Sequence, residues 1–436
     1  FQSKGQNEIE LGISEINLQQ NYKPPPISVD EFNQCFQELI NSQSSETNLS
    51  LLCRIYKGAK YGISILKEQF DFLLTISLSG NTDEIEESLS IIEKYSNTSD
   101  SKWFLSLLSP EFFSTMYQLI NTNRKAGYAF CILHNCLIPP NKSVFDILTQ
   151  MEIMPLILNY SHKYFALLLY SELLYLDFTY KTENYLPFLD TIVKATIANF
   201  QETQNDDYTY LLRKYAEIDS ICSQVIVSIP EFIDLFSPEQ IQTQTLRGSL
   251  MKLIITICSR INISDSFIGT NVMQIFLQSY EYSQNIKAEK KQRKITSLFL
   301  KFFYYLSQTE KGKTFILENN ICDLIFTYTY NNKYKHINLA IQILCQIGLL
   351  NITEVIVNLL QKGFLNIIAE HFINLKNKVM IDCLDFLLCV ESKRQTKEIN
   401  LDFTESIDLF EALNNLGESE NEIISEKVRL LLDSYE

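Results

Sequence analysis

Histidine and cysteine side chains are the first candidates for chemistry in this chain, because they supply metal ligands, nucleophiles and general bases. The 436-residue sequence has ten cysteines and four histidines, and the densest group places His134 between Cys131 and Cys136. This spacing, and that of Cys383 and Cys389, differ from the CxxC pairs typical of structural zinc sites. We therefore expect buried, reduced thiols, with no metal and no cofactor.

Sequence motifs of the common enzyme classes are also missing. The chain has no P-loop, no GxGxxG after a strand, no HExxH and no GxSxG. All its histidines lie in segments with a helical apolar pattern, where a structural histidine is more frequent than a catalytic one. We therefore expect a protein that is not an enzyme and has no catalytic residues.

The elements that must position any functional side chain repeat along the sequence. A fixed offset of 43 residues superposes an apolar helix of the C-terminal half on the next one. The paired residues are Ile337 and Met380, Ala340 and Cys383, Ile341 and Leu384, Leu344 and Leu387, and Ile347 and Val390. A period of about 40 to 47 residues with two or three helices per unit is typical of armadillo and HEAT repeats.

This period predicts an all-α, armadillo/HEAT-like, right-handed superhelical solenoid of about ten repeats. We place the repeats near 30–60, 67–97, 104–138, 145–180, 186–227, 231–262, 268–309, 315–350, 356–391 and 405–435. Residues 28–436 are expected to form the solenoid. Residues 1–27 are polar and are expected to be an extended N-terminal segment.

Composition restricts the partners. The formal net charge of −15 argues against nucleic-acid binding through an overall basic surface, and it favours a basic protein partner. The most apolar stretch, 164–180, contains Glu172 and Asp177 and is too short and too polar to span a bilayer. We expect protein partners, with no nucleic acid and no membrane.

The last seventeen residues, 420–436, have the pattern of a helix with one apolar and one acidic side. Its apolar residues recur at offsets of four, three and four residues, at Ile424, Val428, Leu431 and Tyr435. We interpret 405–436 as a C-terminal hairpin that caps the last repeat of the stack.

This closing helix resembles that of the importin-alpha family, whose pattern is Glu-Asn-x-x-Ile-Tyr-x-Lys-Ala-x-x-Ile-Ile-x-x-Tyr-Phe. The identical residues are Glu420, Asn421, Ile424, Lys427 and Tyr435, the similar ones are Val428, Leu431 and Leu432, and Ser425 and Glu436 replace aromatic residues. The resemblance implies a nuclear transport adaptor that moves between cytoplasm and nucleus. It makes Glu420 and Asn421 candidate contacts for the exportin that recycles such adaptors, and the alternative is a purely structural cap.

Importin-alpha proteins bind a basic cargo peptide with a Trp, and an Asn four residues later, on the inner helix of each repeat. The corresponding pairs here are Ser90 and Lys94, Cys131 and Asn135, Gln342 and Gln346, and Asp385 and Cys389. The resemblance therefore makes Asn135, Gln342 and Gln346 candidates for binding the backbone of an extended peptide. The alternative is that they are ordinary polar residues of the inner face.

Importin-alpha proteins also carry an N-terminal basic segment that binds the import carrier. The stretch 1–27 has only Lys4 and Lys23 against three glutamates, so this route to a carrier lacks its basic residues. We predict an adaptor that binds cargo with basic segments in a groove. The alternative is an armadillo scaffold for protein assembly without a role in nuclear transport.

Overall fold

The computed structural model describes residues 27–42, 44–97, 101–238, 241, 243–286, 288–330, 334–400, 407–417 and 419–434. Within these ranges every regular element is a helix, with 25 α-helices and four short 3-10 helices. The prediction of an all-α chain is therefore confirmed. The predicted N-terminal segment lies outside the described residues except for residue 27, and so do Tyr435 and Glu436 of the C-terminal motif.

The chain divides into two compact units, Phe1–Ile153 and Met154–Glu436, which we call unit 1 and unit 2. The helices of unit 1 are α1 (Val29–Asn41), α2 (Ser45–Lys60), α3 (Lys67–Ser79), α4 (Thr82–Ser96), α5 (Ser101–Leu107), α6 (Pro110–Asn121), α7 (Ala126–Cys136) and α8 (Lys142–Gln150).

Unit 2 contains the remaining helices. They are α9 (Ile153–Asn159), α10 (Tyr164–Tyr180), α11 (Leu189–Thr203), α12 (Asp206–Ile218), α13 (Ser220–Ser228), α14 (Glu231–Asp234), α15 (Gln244–Arg260), α16 (Asn271–Gln284), α17 (Glu289–Leu306), α18 (Glu310–Glu318), α19 (Ile321–Phe326), α20 (Tyr334–Gly348), α21 (Thr353–Gln361), α22 (Phe364–His371), α23 (Asn377–Gln395), α24 (Ile407–Leu416) and α25 (Glu422–Asp433). The 3-10 helices are Leu186–Phe188, Ser264–Phe267, Thr327–Tyr330 and Phe372–Asn374.

One helix of each repeat packs on the equivalent helix of the next repeat within the same unit. We call these the ladder helices: α2, α4 and α7 in unit 1, and α10, α12, α15, α17, α20, α23 and α25 in unit 2. Side-chain hydrogen bonds between adjacent ladder helices join residues 36 to 43 positions apart in sequence. The spacing of these bonds reproduces the repeat length found in the sequence.

Burial confirms the apolar pattern from which the repeats were predicted. Every residue paired at the offset of 43 is buried, and Ala340, Ile341, Leu344, Cys383, Leu384 and Leu387 have no exposed surface. Burying each of these side chains contributes about 25 cal/mol per Å² of apolar surface removed from water. A single helix cannot bury its own apolar side, so this contribution depends on the neighbouring repeat.

The predicted fifth repeat differs in detail from the structure. This repeat was placed near 186–227, and within that range the ladder helix α12 ends at Ile218 and a separate helix, α13, begins at Ser220. Asp219 has extended backbone, and its carboxylate accepts a hydrogen bond from the amide of Ile221 at 2.9 Å, which caps the new helix α13. A short acidic side chain favours such a cap over continuing the helix.

A membrane-spanning helix is not found in the described ranges, where no helix combines the necessary length with the necessary apolar character.

Candidate peptide-binding surface

Asn135, predicted from the sequence, lies half-buried on α7 in unit 1. Its Nδ2 donates a hydrogen bond to the hydroxyl of Ser96 on α4 at 3.0 Å, and its Oδ1 lies 3.3 Å from Nδ1 of His134. The amide therefore links two adjacent ladder helices. One of its two N–H groups is used in that bond, which leaves the second as a possible donor to a bound backbone.

Gln342 and Gln346 lie one turn apart on α20 in unit 2. Both Nε2 atoms donate to the carboxylate of Asp382 on α23, at 2.9 Å and 3.0 Å. Burial raises the pKa of Asp382, and the two amide donors act in the opposite direction. The glutamines thus satisfy a carboxylate of the next repeat, and this role differs from the predicted one without excluding it.

The C-terminal motif residues serve α25 itself. Asn421 is the N-cap, and its Oδ1 accepts hydrogen bonds from the amides of Ile423 at 3.1 Å and Ile424 at 3.4 Å. Lys427 forms an ion pair with Asp385 of α23. Glu420 precedes the cap and is exposed. Capping and packing therefore account for most of the described residues that match the importin-alpha pattern, whereas Glu420 is left facing solvent.

A second group of polar side chains lies on α4, which a capping box fixes at its start. The side chain of Asn81 accepts hydrogen bonds from the amides of Asp83 and Glu84, and the carboxylate of Glu84 accepts one from the amide of Asn81 at 2.9 Å. Leu89 and Ile92 are fully buried on the core side. Helical geometry then places residues 86, 87, 90 and 93 on the other side.

These residues form what we call the acidic face of α4: Glu86, Glu87, Ser90 and Glu93, flanked by Tyr56 of α2 and Tyr128 of α7. All four side chains on α4 are half-buried. Ser90 donates a hydrogen bond to the Tyr128 hydroxyl at 3.2 Å, and Cys131 Sγ of α7 lies 4.0 Å from a carboxylate oxygen of Glu93.

Two carboxylates of the acidic face lack a cationic partner in the part of the chain that the structure describes. Glu86 forms an ion pair with Lys125, but no Lys or Arg nitrogen among the described residues lies within 4.0 Å of Glu87 or Glu93. Burial raises the pKa of Glu93, against a small opposing effect of Lys94. Burial likewise raises the pKa of Glu87. A half-buried carboxylate without a counter-charge is energetically unfavourable and attracts a cation.

The tyrosines experience the same charges. Burial, followed by Glu93 and Glu87, raises the pKa of Tyr56. Burial is also the main reason why the pKa of Tyr128 rises to about 12. Aromatic rings beside carboxylates suit a Lys or Arg side chain, because the ring packs on the aliphatic part and attracts the cationic end.

Sequence reasoning identified Ser90 as a ladder position but missed the glutamates around it. Glu86 and Glu93 lie four residues before and three residues after Ser90, which is the spacing of one helix face. That signal was present in the sequence. Whether these carboxylates have a cationic partner depends on the neighbouring helices α2 and α7, which the local sequence does not show.

The cysteine and histidine group predicted to lack metal chemistry is part of the core of unit 1. His134 and Cys136 are buried, and burial raises the pKa of the Cys136 thiol well above its usual range. In the part of the chain that the structure describes, no three His, Cys, Asp or Glu side chains are arranged to hold a metal ion.

Comparisons with known proteins identify the fold of the chain. No family model matches the chain, and no curated protein matches it in sequence. Among solved structures, an engineered protein superposes with a TM-score of 0.66 at 11% identity, covering 92% of this chain and 98% of its own. A structure concerning a phosphorylation switch that controls the interaction between cadherin and beta-catenin gives a TM-score of 0.61 at 8% identity, covering 95% of this chain and 85% of its own.

The chain has an armadillo-repeat fold. A designed armadillo repeat protein is also similar, with a TM-score of 0.42 at 12% identity, covering 55% of this chain and 98% of its own. Identities this low show a shared fold and do not show membership of the importin-alpha family. The armadillo solenoid predicted from the period of about 43 residues is therefore confirmed at the level of the fold.

Proposed function

We propose that this armadillo-repeat protein is a non-enzymatic scaffold that binds an extended segment of a protein partner along its ladder helices. The observation that carries the proposal is the pair of half-buried carboxylates, Glu87 and Glu93, that lack a cation among the described residues. A Lys or Arg side chain of a partner would supply the missing charge between Tyr56 and Tyr128. The partner is thus expected to carry a basic segment, in agreement with the acidic net charge.

An extended segment also needs partners for its backbone groups, because buried N–H and C=O groups are rarely left without hydrogen bonds. Asn135 lies one turn beyond Cys131, the thiol that approaches Glu93, and is suited to this role. Its amide would bind the peptide backbone while the acidic face holds the basic side chain. This division of roles would give binding that depends on charge and tolerates variation in the neighbouring residues.

The more specific proposal is a nuclear transport adaptor that moves between cytoplasm and nucleus with a basic cargo. Its support is the resemblance of residues 420–436 to the closing helix of importin-alpha, together with a surface suited to basic side chains. Glu420 is exposed and free to contact an exportin, whereas Asn421 already caps α25. A scaffold without a transport role is the alternative, since capping and packing account for the motif without any transport partner.

The test of peptide binding is a calorimetric titration of the full chain with a Lys/Arg-rich peptide at low and at physiological salt. We expect salt-sensitive binding that weakens about tenfold in Glu93→Gln, because one charged contact contributes about 1.5 kcal/mol or more when it is partly buried. Asn135→Ala should weaken it less. The control is Glu68→Gln, an exposed glutamate on α3, which should bind like the unchanged protein. Absence of any uptake at low salt would refute the proposal.

The transport role is tested by affinity purification with the unchanged protein and with Glu420→Lys. An adaptor should recover an import carrier or an exportin, and the charge reversal should reduce recovery of the exportin. Recovery of other proteins by both forms, without any carrier, would favour the scaffold.

A further inference from the structure

Unit 2 carries cationic side chains on three consecutive ladder helices, in contrast to the net charge of −15 of the chain. We call Lys252 of α15, Lys294 and Lys301 of α17, and Lys335 of α20 the lysine row. Helix α17 packs on both α15 and α20, and the charge of Lys294 acts on Lys252 as the charge of Lys335 acts on Lys301. Lys294 and Lys301 are two turns apart on one face of α17, which corresponds to about 10 Å along the helix.

Within the described residues, the lysine row has no carboxylate partner at ion-pair distance. Among the described residues, no Asp or Glu oxygen lies within 4.0 Å of any of the four amino groups. Lys252 and Lys301 are half-buried and Lys294 and Lys335 are exposed, whereas the half-buried Lys214 of the same unit is paired with Glu172 at 2.6 Å. The unpaired state of the row is therefore a local feature and does not reflect a shortage of acidic residues in the unit.

One carboxylate acts on the row at its α15 end. Asp206 of α12 favours the charged form of Lys252, but its oxygens accept hydrogen bonds from Ser249 at 2.9 Å and Thr209 at 2.7 Å. Arg213 of α12 adds a further cation beside Lys252, although it also pairs with Glu217 at 3.3 Å. The balance at this end is thus positive.

The neighbouring lysines carry like charges, which repel one another and lower the stability of the free protein. Burial, followed by Lys294 and Arg213, lowers the pKa of Lys252, and burial followed by Lys335 lowers the pKa of Lys301. Lysines on a solvated surface normally avoid such contacts by spreading apart. Two half-buried lysines held beside further cations are instead typical of a site that an anion completes.

We infer that the lysine row binds an acidic, extended segment of a protein partner through its Asp and Glu side chains. This inference rests on the proposed scaffold function and adds a second specificity, opposite in sign to that of the acidic face of α4. Charge complementarity selects the occupant. Lys335 shares a helix face with Gln342, seven residues on, so the row adjoins a ladder position that the sequence already indicated for backbone binding.

The spacing of the row sets the pattern of the acidic segment. The two lysines of α17 are about 10 Å apart, and adjacent helix axes lie about 8 to 10 Å apart. An extended chain in the polyproline II conformation advances about 3.1 Å per residue and turns once every three residues, so acidic side chains three residues apart lie on the same side and match these distances. A peptide with Glu at every third position is therefore the appropriate probe.

The experiment measures binding of a labelled twelve-residue peptide with Glu at every third position to the full chain by fluorescence anisotropy. We expect salt-sensitive binding that weakens at least tenfold in Lys294→Glu/Lys301→Glu and is retained within about threefold in Lys294→Arg/Lys301→Arg. The matched control is Lys311→Glu/Lys397→Glu, which reverses two exposed lysines outside the ladder helices and should bind within twofold of the unchanged protein. Circular dichroism confirms that each variant is folded.

The outcomes separate this inference from the proposed function. If the acidic peptide does not bind but a basic peptide binds in a Glu93-dependent manner, only the lysine row is refuted. If neither peptide binds, both proposals fail. A single-stranded oligonucleotide of equal charge is titrated in parallel, and tighter binding of the oligonucleotide than of the acidic peptide would overturn the assignment to a protein segment. Equal effects of the row and control variants would also overturn it.

Discussion

Single charged side chains in this protein fall into two groups. Some stabilise the repeats, as Lys427 does by pairing with Asp385 of the preceding ladder helix. Others, such as Glu93 and Lys252, are half-buried without an opposite charge within ion-pair distance among the described residues, and burial shifts the pKa of each toward its neutral form. The second group lowers the stability of the free protein. Binding sites are where such unfavourable charges are expected, because a ligand can compensate them.

This view predicts that Glu93→Gln stabilises the protein while it weakens peptide binding. The amide keeps the shape of the side chain and removes the buried charge. We expect a gain of about 0.5 to 1 kcal/mol at pH 7, in the range of other single stabilising substitutions. Thermal unfolding followed by circular dichroism measures it, with Glu68→Gln as the control.

The gain should depend on pH in a defined direction. Burial raises the pKa of Glu93 in the folded state above its unfolded value, so the folded state binds the proton more tightly. At pH values below the unfolded pKa of about 4.3 the carboxyl is neutral in both states, and the variant should equal the unchanged protein. The difference should grow as the pH rises through the folded pKa and then stay constant. A gain that is largest in acid would contradict the assigned cause.

For single side chains, the sequence indicated the helix on which a residue lies better than it indicated what the side chain contacts. It placed Asn135, Gln342 and Gln346 on ladder helices, where the structure has them. It did not show that both glutamine amides hold Asp382, because that carboxylate is 36 to 40 residues away in sequence. The acidic face and the lysine row were missed for the same reason. Whether a charged side chain has a partner depends on residues of three neighbouring helices, which are far apart in sequence.

Helices are the scale at which the sequence was most informative. The offset of 43 residues between α20 and α23 appeared as matched apolar residues, and the same residues are buried in the structure. The end of α12 was not predicted, because Asp219 acts through a cap whose geometry competes with a continuous apolar pattern. Periodicity thus predicts which face is buried, whereas local hydrogen bonds decide where a helix ends.

The cap of α25 leads to a prediction for Asn421. Replacing it with alanine removes the acceptor for two amides of the first turn, which should destabilise the helix by about 1 kcal/mol. Hydrogen exchange at Glu422–Asp433 should become faster. Asn414→Ala is the matched control, since this exposed asparagine of α24 has no side-chain hydrogen bond among the described residues. An unchanged exchange rate in α25 would contradict a stabilising role for this cap.

The whole molecule follows the physics of a repeat protein, in which each repeat depends mainly on its neighbours. The armadillo-repeat fold was predictable because the apolar residues repeat with the period of such proteins. This repeat is visible even though the Trp and Asn pairs of the importin-alpha family are not present at the corresponding positions. The division into two compact units was not anticipated from composition, since no Gly-rich or Pro-rich stretch marks residue 153.

Coupling between neighbouring repeats predicts which helices of unit 2 a destabilising substitution affects. Phe302 of α17 is fully buried and stacks on Phe276 of α16 with ring centroids 4.1 Å apart. Phe302→Ala should destabilise this region by about 3 to 5 kcal/mol. We expect hydrogen exchange to increase most in α17 and in α15, α16 and α20, which pack on α17, and least in α25, which packs on α23 and α24.

Tyr282→Ala on α16 is the control for this experiment, because its side chain is largely exposed and its loss should leave exchange nearly unchanged. A uniform increase in exchange over all of unit 2 after Phe302→Ala would show a single cooperative block instead of coupled neighbours.

The hydrogen bonds that join residues 36 to 43 positions apart have a consequence for folding kinetics. No connection between adjacent ladder helices has to close a long loop, so the relative contact order is low for a chain of 436 residues, and low contact order accompanies fast folding. During synthesis, each repeat of a unit gains its docking surface as soon as about forty further residues have left the ribosome. Each repeat can therefore fold while translation continues, and little apolar surface stays exposed until a distant segment has been synthesised.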